Sequence, residues 1–341
     1  MVFSVNESGH SPGVRDVADV AGVSRQTVSR VLNEHPSIRP ETRDRVRAAM
    51  VALNFRPNRA ARMLATAKSR TIGVLAAHAP SLFGPASSID ALERAARAQG
   101  YFVTVAHTPS LDRESLEAAL DHLLAQAVEG VVVVAPQRRA QQALAAVAVG
   151  IPFVTLHDDA PAGMDGSYVE QMAGGRLATR HLIDRGHRRI LHVCGPQDWA
   201  EARARREGFC AEAESAGIEA IVSPEGDWSA RSGADIAEKL LVATGVTAVF
   251  SSNDQMALGV LHQARSLGRR VPDDLAVVGF DDVPEAAYFP PPLTTIRQDF
   301  AELGRLAVGR LLESLGGASP SPGTQRVQHQ PAARLMIRES T

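Results

Sequence analysis

The sequence predicts an α/β protein made of two doubly wound parallel-sheet halves, preceded by an all-α headpiece built on a helix-turn-helix. Three observations carry this expectation. Residues 13–33, GVRDVADVAGVSRQTVSRVLN, set two short amphipathic helices around a glycine. From Thr71 onward, short apolar runs alternate with amphipathic stretches, the order that a parallel sheet with crossover helices requires. Charge is also divided: residues 1–70 hold 12 Lys and Arg against 6 Asp and Glu, whereas residues 71–341 hold 24 against 32. The net charge of −2 therefore conceals a basic N-terminal module on an acidic body, and only the former suits a polyanion.

In the first helix Val14, Val17, Ala18 and Ala21 recur at spacings of three and four and share one face. Gly22 turns the chain, and Ser24 is placed to cap a second helix with Thr27, Val28, Val31 and Leu32 inward. Arg25, Gln26, Ser29 and Arg30 then face outward. Arg can fork onto guanine O6 and N7, Gln can pair with the adenine edge, and hydroxyl and guanidinium groups also hold phosphates. An ordinary helical pair with a solvated polar face has the same periodicity. Residues 37–55 form a third amphipathic helix, with Val46, Ala49, Met50 and Leu53 on one face to close a three-helix core. Pro57 then opens a short helix carrying Arg59, Arg62 and Leu64.

VRDVADVAGVSRQTVSRVLN, followed in order by TRDRVRAAM and RPNRAARMLA, resembles the headpiece of the lactose/galactose repressor (LacI/GalR) family of transcriptional regulators. The resemblance implies that Arg25 and Gln26 read bases in the major groove, with Arg30 further along the same helix. Ser24 joins this DNA-binding set, and Thr27 and Ser29 hold phosphates. It further implies that Asn58 to Leu64 is a hinge helix that folds on operator DNA, with Asn58, Arg59 and Ala61 in the DNA-binding set. Leu64 is then the apolar wedge that kinks the duplex. Read without the family, Leu64 is a linker residue and Asn58 a simple cap. The expected division is a headpiece over 1–56, a hinge helix and linker over 57–70, and an effector-binding and dimerisation core over 71–341.

A chain of 341 residues exceeds the size at which single cores split, and 45% apolar residues mark it as globular. No apolar run of about 18 residues appears, and the first 13 residues lack a charged-then-apolar signal pattern, so neither membrane nor export is indicated. A cytoplasmic, nucleoid-associated protein is expected. Cys194 and Cys210 are too few for a disulfide framework and read as free thiols.

In the core, TIGVLAA, YFVTVA, GVVVVA and IPFVTL read as strands, separated by helices near 88–99, 111–127 and 138–149. The pattern restarts with a helix near 169–185, RILHVCG, a helix over 201–216, the loop GDWSARSG and a helix through 236–241. TAVFSSN, a helix over 255–267 and DLAVVGFDD complete the second half. LTTIRQDF is expected to return the chain to the first half, which then owns a helix over 300–315. GGASPSPG is a loop rich in breakers, and a last strand within 326–338 is expected to run to the second half. The halves are thus about 71–168 plus 299–325, and about 169–298 plus 326–341.

Two doubly wound halves joined by crossovers describe a periplasmic-binding-protein-like core with its ligand at the carboxyl ends of the strands, and the family resemblance implies the same. Asn253 and Asp254 follow TAVFSS, and Asp281 and Asp282 follow LAVVGF, where such a sheet presents ligand contacts. Carboxylates accept hydroxyl hydrogens from a sugar diol, although adjacent acids at strand ends also serve as caps. The family pattern points to Asn253, Asp281 and Arg205 as effector residues; without it, Arg205 is a helix-surface arginine. Trp228 in GDWSARSG can stack on a sugar face or serve as a core residue. HAPS, GDWSA, NDQMALG and PPLTTIRQDF resemble the lactose-type members most, which implies a galactoside-like effector contacted by Trp228, Gln298 and Phe300, with Ala79 and Pro80 on an apolar rim. His157 stands in this pocket where lactose-type members carry an aspartate, and the loop before HAPS is shorter.

An enzyme of sugars or nucleosides and an exported sugar-binding protein would both fit such a core. No G-x-S-x-G elbow, P-loop or strand-borne G-x-G-x-x-G occurs. His187, His192 and Cys194 lack a fourth ligand for a closed zinc site, and Gly174–Gly175 ahead of a helix is a lone pair where an anion cradle needs more. The chain reads as non-catalytic, without metal or cofactor: a homodimeric repressor of carbohydrate-utilisation genes on a pseudo-palindromic operator, relieved by a small carbohydrate. It stops at MIREST, without the heptad tail that makes tetramers in the lactose-type members, hence the expected dimer.

Overall fold

A computed structural model describes residues 12–32, 35–56, 63, 68–77, 82–147, 149–156, 167–316, 325–326 and 333–341. The chain divides into two compact units, Met1–Ser69 and Arg70–Thr341.

In the first unit, α1 (Val14–Ala21), α2 (Arg25–Leu32) and α3 (Pro40–Ala52) enclose Val17, Ala18, Ala21, Val28, Val31, Val46 and Ala49. Val14, Leu32, Met50 and Leu53 pack around them, so the faces read from the 3.6 period are the buried ones. The turn between α1 and α2 runs through Gly22 at φ 63°, whose N–H reaches the Ala18 and Asp19 carbonyls. α3 starts at Pro40 rather than at residue 37, because proline presets the first helical φ and has no N–H to leave unpaired.

The second unit holds two sheets. The first is ordered β10-β4-β3-β1-β2, from β1 (Thr71–Ala76), β2 (Phe102–His107), β3 (Gly130–Val134), β4 (Phe153–Thr155) and β10 (Gln325–Arg326), with all pairs parallel. α4 (Phe83–Ala98), α5 (Arg113–Ala125), α6 (Arg138–Ala145) and α11 (Phe300–Leu315) cover it. Every residue of β1 and β3 is buried, as expected for parallel strands packed on both faces.

The second sheet is ordered β11-β9-β8-β7-β5-β6, from β5 (Arg189–Val193), β6 (Glu219–Val222), β7 (Ala248–Ser251), β8 (Ala276–Asp281), β9 (Thr294–Arg297) and β11 (Arg334–Met336). Here β11 alone is antiparallel, against β9. α7 (Ser167–Asp184), α8 (Ala200–Ala216), α9 (Ala230–Thr244) and α10 (Asp254–Ser266) pack on it.

Two strand expectations change. Glu219–Val222 pairs with β5 as an edge strand; with Glu219 and Ala220 exposed and Ile221 and Val222 half-buried, it lacks the apolar run that marks interior strands. The last strand, expected to serve the second half over 326–338, is divided among the described residues: Arg326 pairs with Thr155 in the first sheet, and Arg334–Met336 joins the second.

Candidate functional site

On α2, Ser24 Oγ accepts from the Thr27 N–H at 3.1 Å, and the two hydroxyls lie 2.9 Å apart. Ser24 is therefore the cap of this helix as well as a member of the expected DNA-facing set. Val28 and Val31 are buried while Arg25, Gln26, Ser29 and Arg30 are exposed, which leaves one polar helix face for a groove. Asn58, Arg59, Ala61 and Leu64 lie outside the described residues, as do Ala79, Pro80 and His157.

In the second unit a cleft is lined from the first half by Phe83, Phe300 and Leu303 and from the second by Trp199, Arg205, Trp228, Asn253 and Asp281, with Gln298 and Asp299 at the crossover. Two aromatic pairs wall it. Phe83 meets Phe300 edge-on at 5.9 Å, and Trp199 meets Trp228 edge-on at 5.5 Å. Apolar walls with a few convergent polar groups are the usual make-up of a small-ligand site.

Arg205 organises the polar floor. Its Nε donates to Gln171 Oε1 at 2.8 Å, Nη1 to the Ser252 carbonyl at 2.5 Å and Nη2 to Asp281 Oδ1 at 3.4 Å. Gln298 Nε2 donates to the same Asp281 oxygen at 2.7 Å and its Oε1 accepts from Gln171 Nε2 at 2.6 Å, closing a ring of four side chains. The guanidinium lies 3.7 Å from the Phe280 ring centroid, so it is held by a cation–π contact as well. Arg205 is only 4% exposed; it is no helix-surface arginine.

Close backbone approach puts it there. A Cβ on Gly175 would stand 2.4 Å from the Arg205 carbonyl oxygen, so α7 and α8 can touch only because Gly175 has no side chain. The pair Gly174–Gly175 is thus a helix-packing device inside α7 and not a phosphate cradle. Gly195 does the same for Trp228, whose ring would lie 2.5 Å from a Cβ there.

Trp228 belongs to the core cluster of the second half and lines the cleft at once. Its indole Nε1 is buried and has no hydrogen-bond partner among the described residues. Trp228, Asp281 and Asp282 have φ of 71°, 107° and 53°; non-glycine residues held so cost of the order of 1–3 kcal/mol each and cluster at ligand sites.

The acids divide their work. Asn253 caps α10 through Oδ1, 2.8 Å from the Met256 N–H, so the residue expected at the ligand is also the helix cap. Asp254 is a brace: its carboxylate accepts from Thr295 Oγ1 at 2.6 Å and the Val283 N–H at 2.9 Å, and burial pushes its carboxyl well above the usual range. Burial lifts Asp281 to about 6, against the pull of Arg205 and Gln298. Glu170 rises to about 7, through burial and the neighbouring Asp299 carboxylate.

The cleft contains residues the sequence did not single out. Glu201 stands one helical turn before Arg205, a spacing that could have revealed it. Trp199 follows the end of β5, where ligand contacts gather. Phe83 and Glu170 sit in first turns of helices, Gln171 follows Glu170, and none of the three carries a local mark. His192 is enclosed elsewhere, stacked on Phe209 and Phe250 at 5.1 and 4.7 Å, and its Nδ1–H donates to the Phe250 carbonyl at 3.0 Å. Among the described residues no group of three His, Cys, Asp or Glu is arranged around a metal site.

The profile described as "Bacterial regulatory proteins, lacI family" matches residues 14–58, and a "Periplasmic binding protein-like domain" matches 179–341. The lactose operon repressor of Escherichia coli strain K12 is 39% identical over 303 residues, 87% of this chain and 83% of that protein. The crystal structure of a Lac repressor dimer bound to operator and the anti-inducer ONPF superimposes with a TM-score of 0.78 at 34% identity, covering 97% of this chain and 99% of the other. A complex of the transcriptional regulator CelR with cellobiose gives 0.68 at 30% identity, covering 97% of this chain and all of the other. With a headpiece and core that both match and identity spread over nearly the whole length, this chain belongs to the LacI family of bacterial regulatory proteins.

Proposed function

We propose that the protein is a homodimeric transcriptional repressor of carbohydrate-utilisation genes that binds a pseudo-palindromic operator and is released by a neutral sugar. The ring of Arg205, Asp281, Gln298 and Gln171 beneath two aromatic pairs carries this reading. Aromatic faces cover the apolar side of a pyranose while paired acceptors and amides bind its hydroxyls. Glu170, Glu201, Asp281 and Asp299 outnumber Arg205 among the described residues of the cleft, which disfavours a phosphorylated effector. Galactosides and cellobiose are the first candidates, because relatives of this chain are a lactose operon repressor and a cellobiose-bound regulator.

Arg25, Gln26 and Arg30 serve as the base-reading residues, Thr27 and Ser29 as phosphate contacts with Ser24 in the same DNA-binding set, and Asn58, Arg59, Ala61 and Leu64 as the hinge in the minor groove. Asn253, Asp281, Arg205, Trp228, Gln298 and Phe300 contact the sugar, with Ala79, Pro80 and His157 completing the pocket. The core is non-catalytic and the protein acts on DNA in the cytoplasm. Sugar and operator oppose each other with a coupling of about 1–3 kcal/mol, so each weakens the other by the same factor. A thermal-shift screen of lactose, galactose, cellobiose and ribose, followed by operator release with the sugar that stabilises the protein, tests the proposal. Equal sugar affinity with and without operator would refute the coupling.

A further inference from the structure

The turn that presents Asp281 is held from behind by a segment outside the cleft. Asp282 carries a side chain only 4% exposed, gripped by two guanidinium groups: Arg338 Nη2 donates to Oδ1 at 2.5 Å and Arg297 Nε to Oδ2 at 2.5 Å. Arg338 is itself fixed, since its Nη1 donates to the Leu293 carbonyl at 2.6 Å and its N–H to Thr294 Oγ1 at 2.9 Å. Ser340 pins the same segment, with its Oγ 2.8 Å from the Thr294 N–H and its carbonyl 2.8 Å from the Val277 N–H. On the far side of the turn, Asp254 holds the Val283 N–H. Two consecutive non-glycine residues at φ 107° and 53° relax unless such anchors over-determine them.

We infer that Arg338 and Arg297 are positioning residues for the effector site, clamping Asp282 so that Asp281 meets Arg205 and Gln298 in the cleft. Neither arginine is among the residues that line the cleft. The clamp joins β9 and the 333–341 segment to the end of β8, so the aim of the ligand carboxylate depends on a segment that makes no contact with the sugar. The inference rests on the reading of the cleft as a sugar site.

The test uses the full chain with lactose, galactose, cellobiose and ribose as probes. Arg338→Ala is expected to weaken the best-bound sugar at least tenfold while operator affinity without sugar stays within twofold of wild type. Arg338→Lys, which keeps the charge but not the fork, is expected to restore part of that loss. Asp282→Asn keeps the side-chain shape and tolerates positive φ, and is expected to reproduce the loss if Arg338→Ala is too unstable to assay. A relaxed turn also lets water reach Asp281, so the pH at which sugar affinity declines should move down in Arg338→Ala. Arg305→Ala, which removes an exposed pair with Glu302, should change nothing. Wild-type-like sugar affinity in both Arg338→Ala and Asp282→Asn overturns the inference and leaves the effector reading intact. Failure of every probe to bind the wild type overturns both.

Discussion

Asn253 ties Trp228 to the first turn of α10: its Nδ2 donates to the Trp228 carbonyl at 3.1 Å while its Oδ1 accepts from the Met256 N–H at 2.8 Å. One amide thus holds a helix start and the strained tryptophan that walls the cleft. The two duties separate by substitution. Asn253→Ser keeps a capping oxygen and withdraws the donor from the Trp228 carbonyl, so it should keep the cap's share of stability and weaken sugar binding. Asn253→Ala loses both, and should cost a further ~1 kcal/mol of stability through the missing cap. Equal melting temperatures for the two variants would show that the cap contributes nothing.

The exposed face of α2 predicts a graded DNA phenotype. Arg25→Ala and Gln26→Ala should each weaken specific operator binding by about 1–3 kcal/mol while non-specific binding changes little. Ser29→Ala, as a phosphate contact, should weaken specific and non-specific binding alike. Titration of operator and scrambled duplex at one salt concentration checks both, and parallel losses for Arg25→Ala on the two duplexes would remove its base-reading role.

Periodicity made the headpiece legible almost residue by residue, since Val17, Ala18, Val28, Val31, Val46 and Ala49 are buried where the 3.6 pattern places them. Interior strands such as Gly130–Val134 announced themselves as unbroken apolar runs. The edge strand Glu219–Val222 did not, because a strand open on one side needs no such run. In the cleft, Asn253 and Asp281 were legible from strand ends. Gln171 was not, since a polar residue near a helix start looks the same whether it faces water or Arg205. The Gly174–Gly175 pair, read in sequence only as a weak anion cradle, shows its packing role once the Arg205 backbone and the Phe280 ring stand against it.

Burial holds Asp281 at about 6 and Glu170 at about 7, both above the ordinary carboxylate range, so the cleft changes charge within reach of neutral pH. An ionised carboxylate accepts more hydrogen bonds from sugar hydroxyls than its protonated form. Sugar affinity should therefore fall as pH drops from 8 to 5, by at most about tenfold per pH unit for each group involved. Asp281→Asn should bind more weakly and lose the inflection near its value, and Glu170→Gln should lose the other. Titration calorimetry across that range checks this, and a flat wild-type profile would show that neither acid touches the sugar as a carboxylate.

His192 sets an acid limit on the core. Complete burial between Phe209 and Phe250 lowers it to about 3, from 6.5 in the unfolded chain, so the fold keeps it neutral while the unfolded state takes up a proton. Its contribution is complete above 6.5 and is lost as pH falls towards 3. Between pH 6.5 and 5 the loss amounts to roughly 2 kcal/mol at 1.36 kcal/mol per unit. Glu170, Asp254 and Asp281 act in the opposite sense, because their raised values make the folded state the better proton acceptor there. The comparison must therefore be made between wild type and His192→Phe, which leaves those acids in place. His192→Phe should be less stable at pH 7, where the hydrogen bond to the Phe250 carbonyl is missing, yet lose about 2 kcal/mol less than wild type on acidification to pH 5. Denaturant unfolding at the two pH values measures the difference, and identical losses in the two proteins would mean that His192 takes up its proton as readily in the folded state as in the unfolded chain.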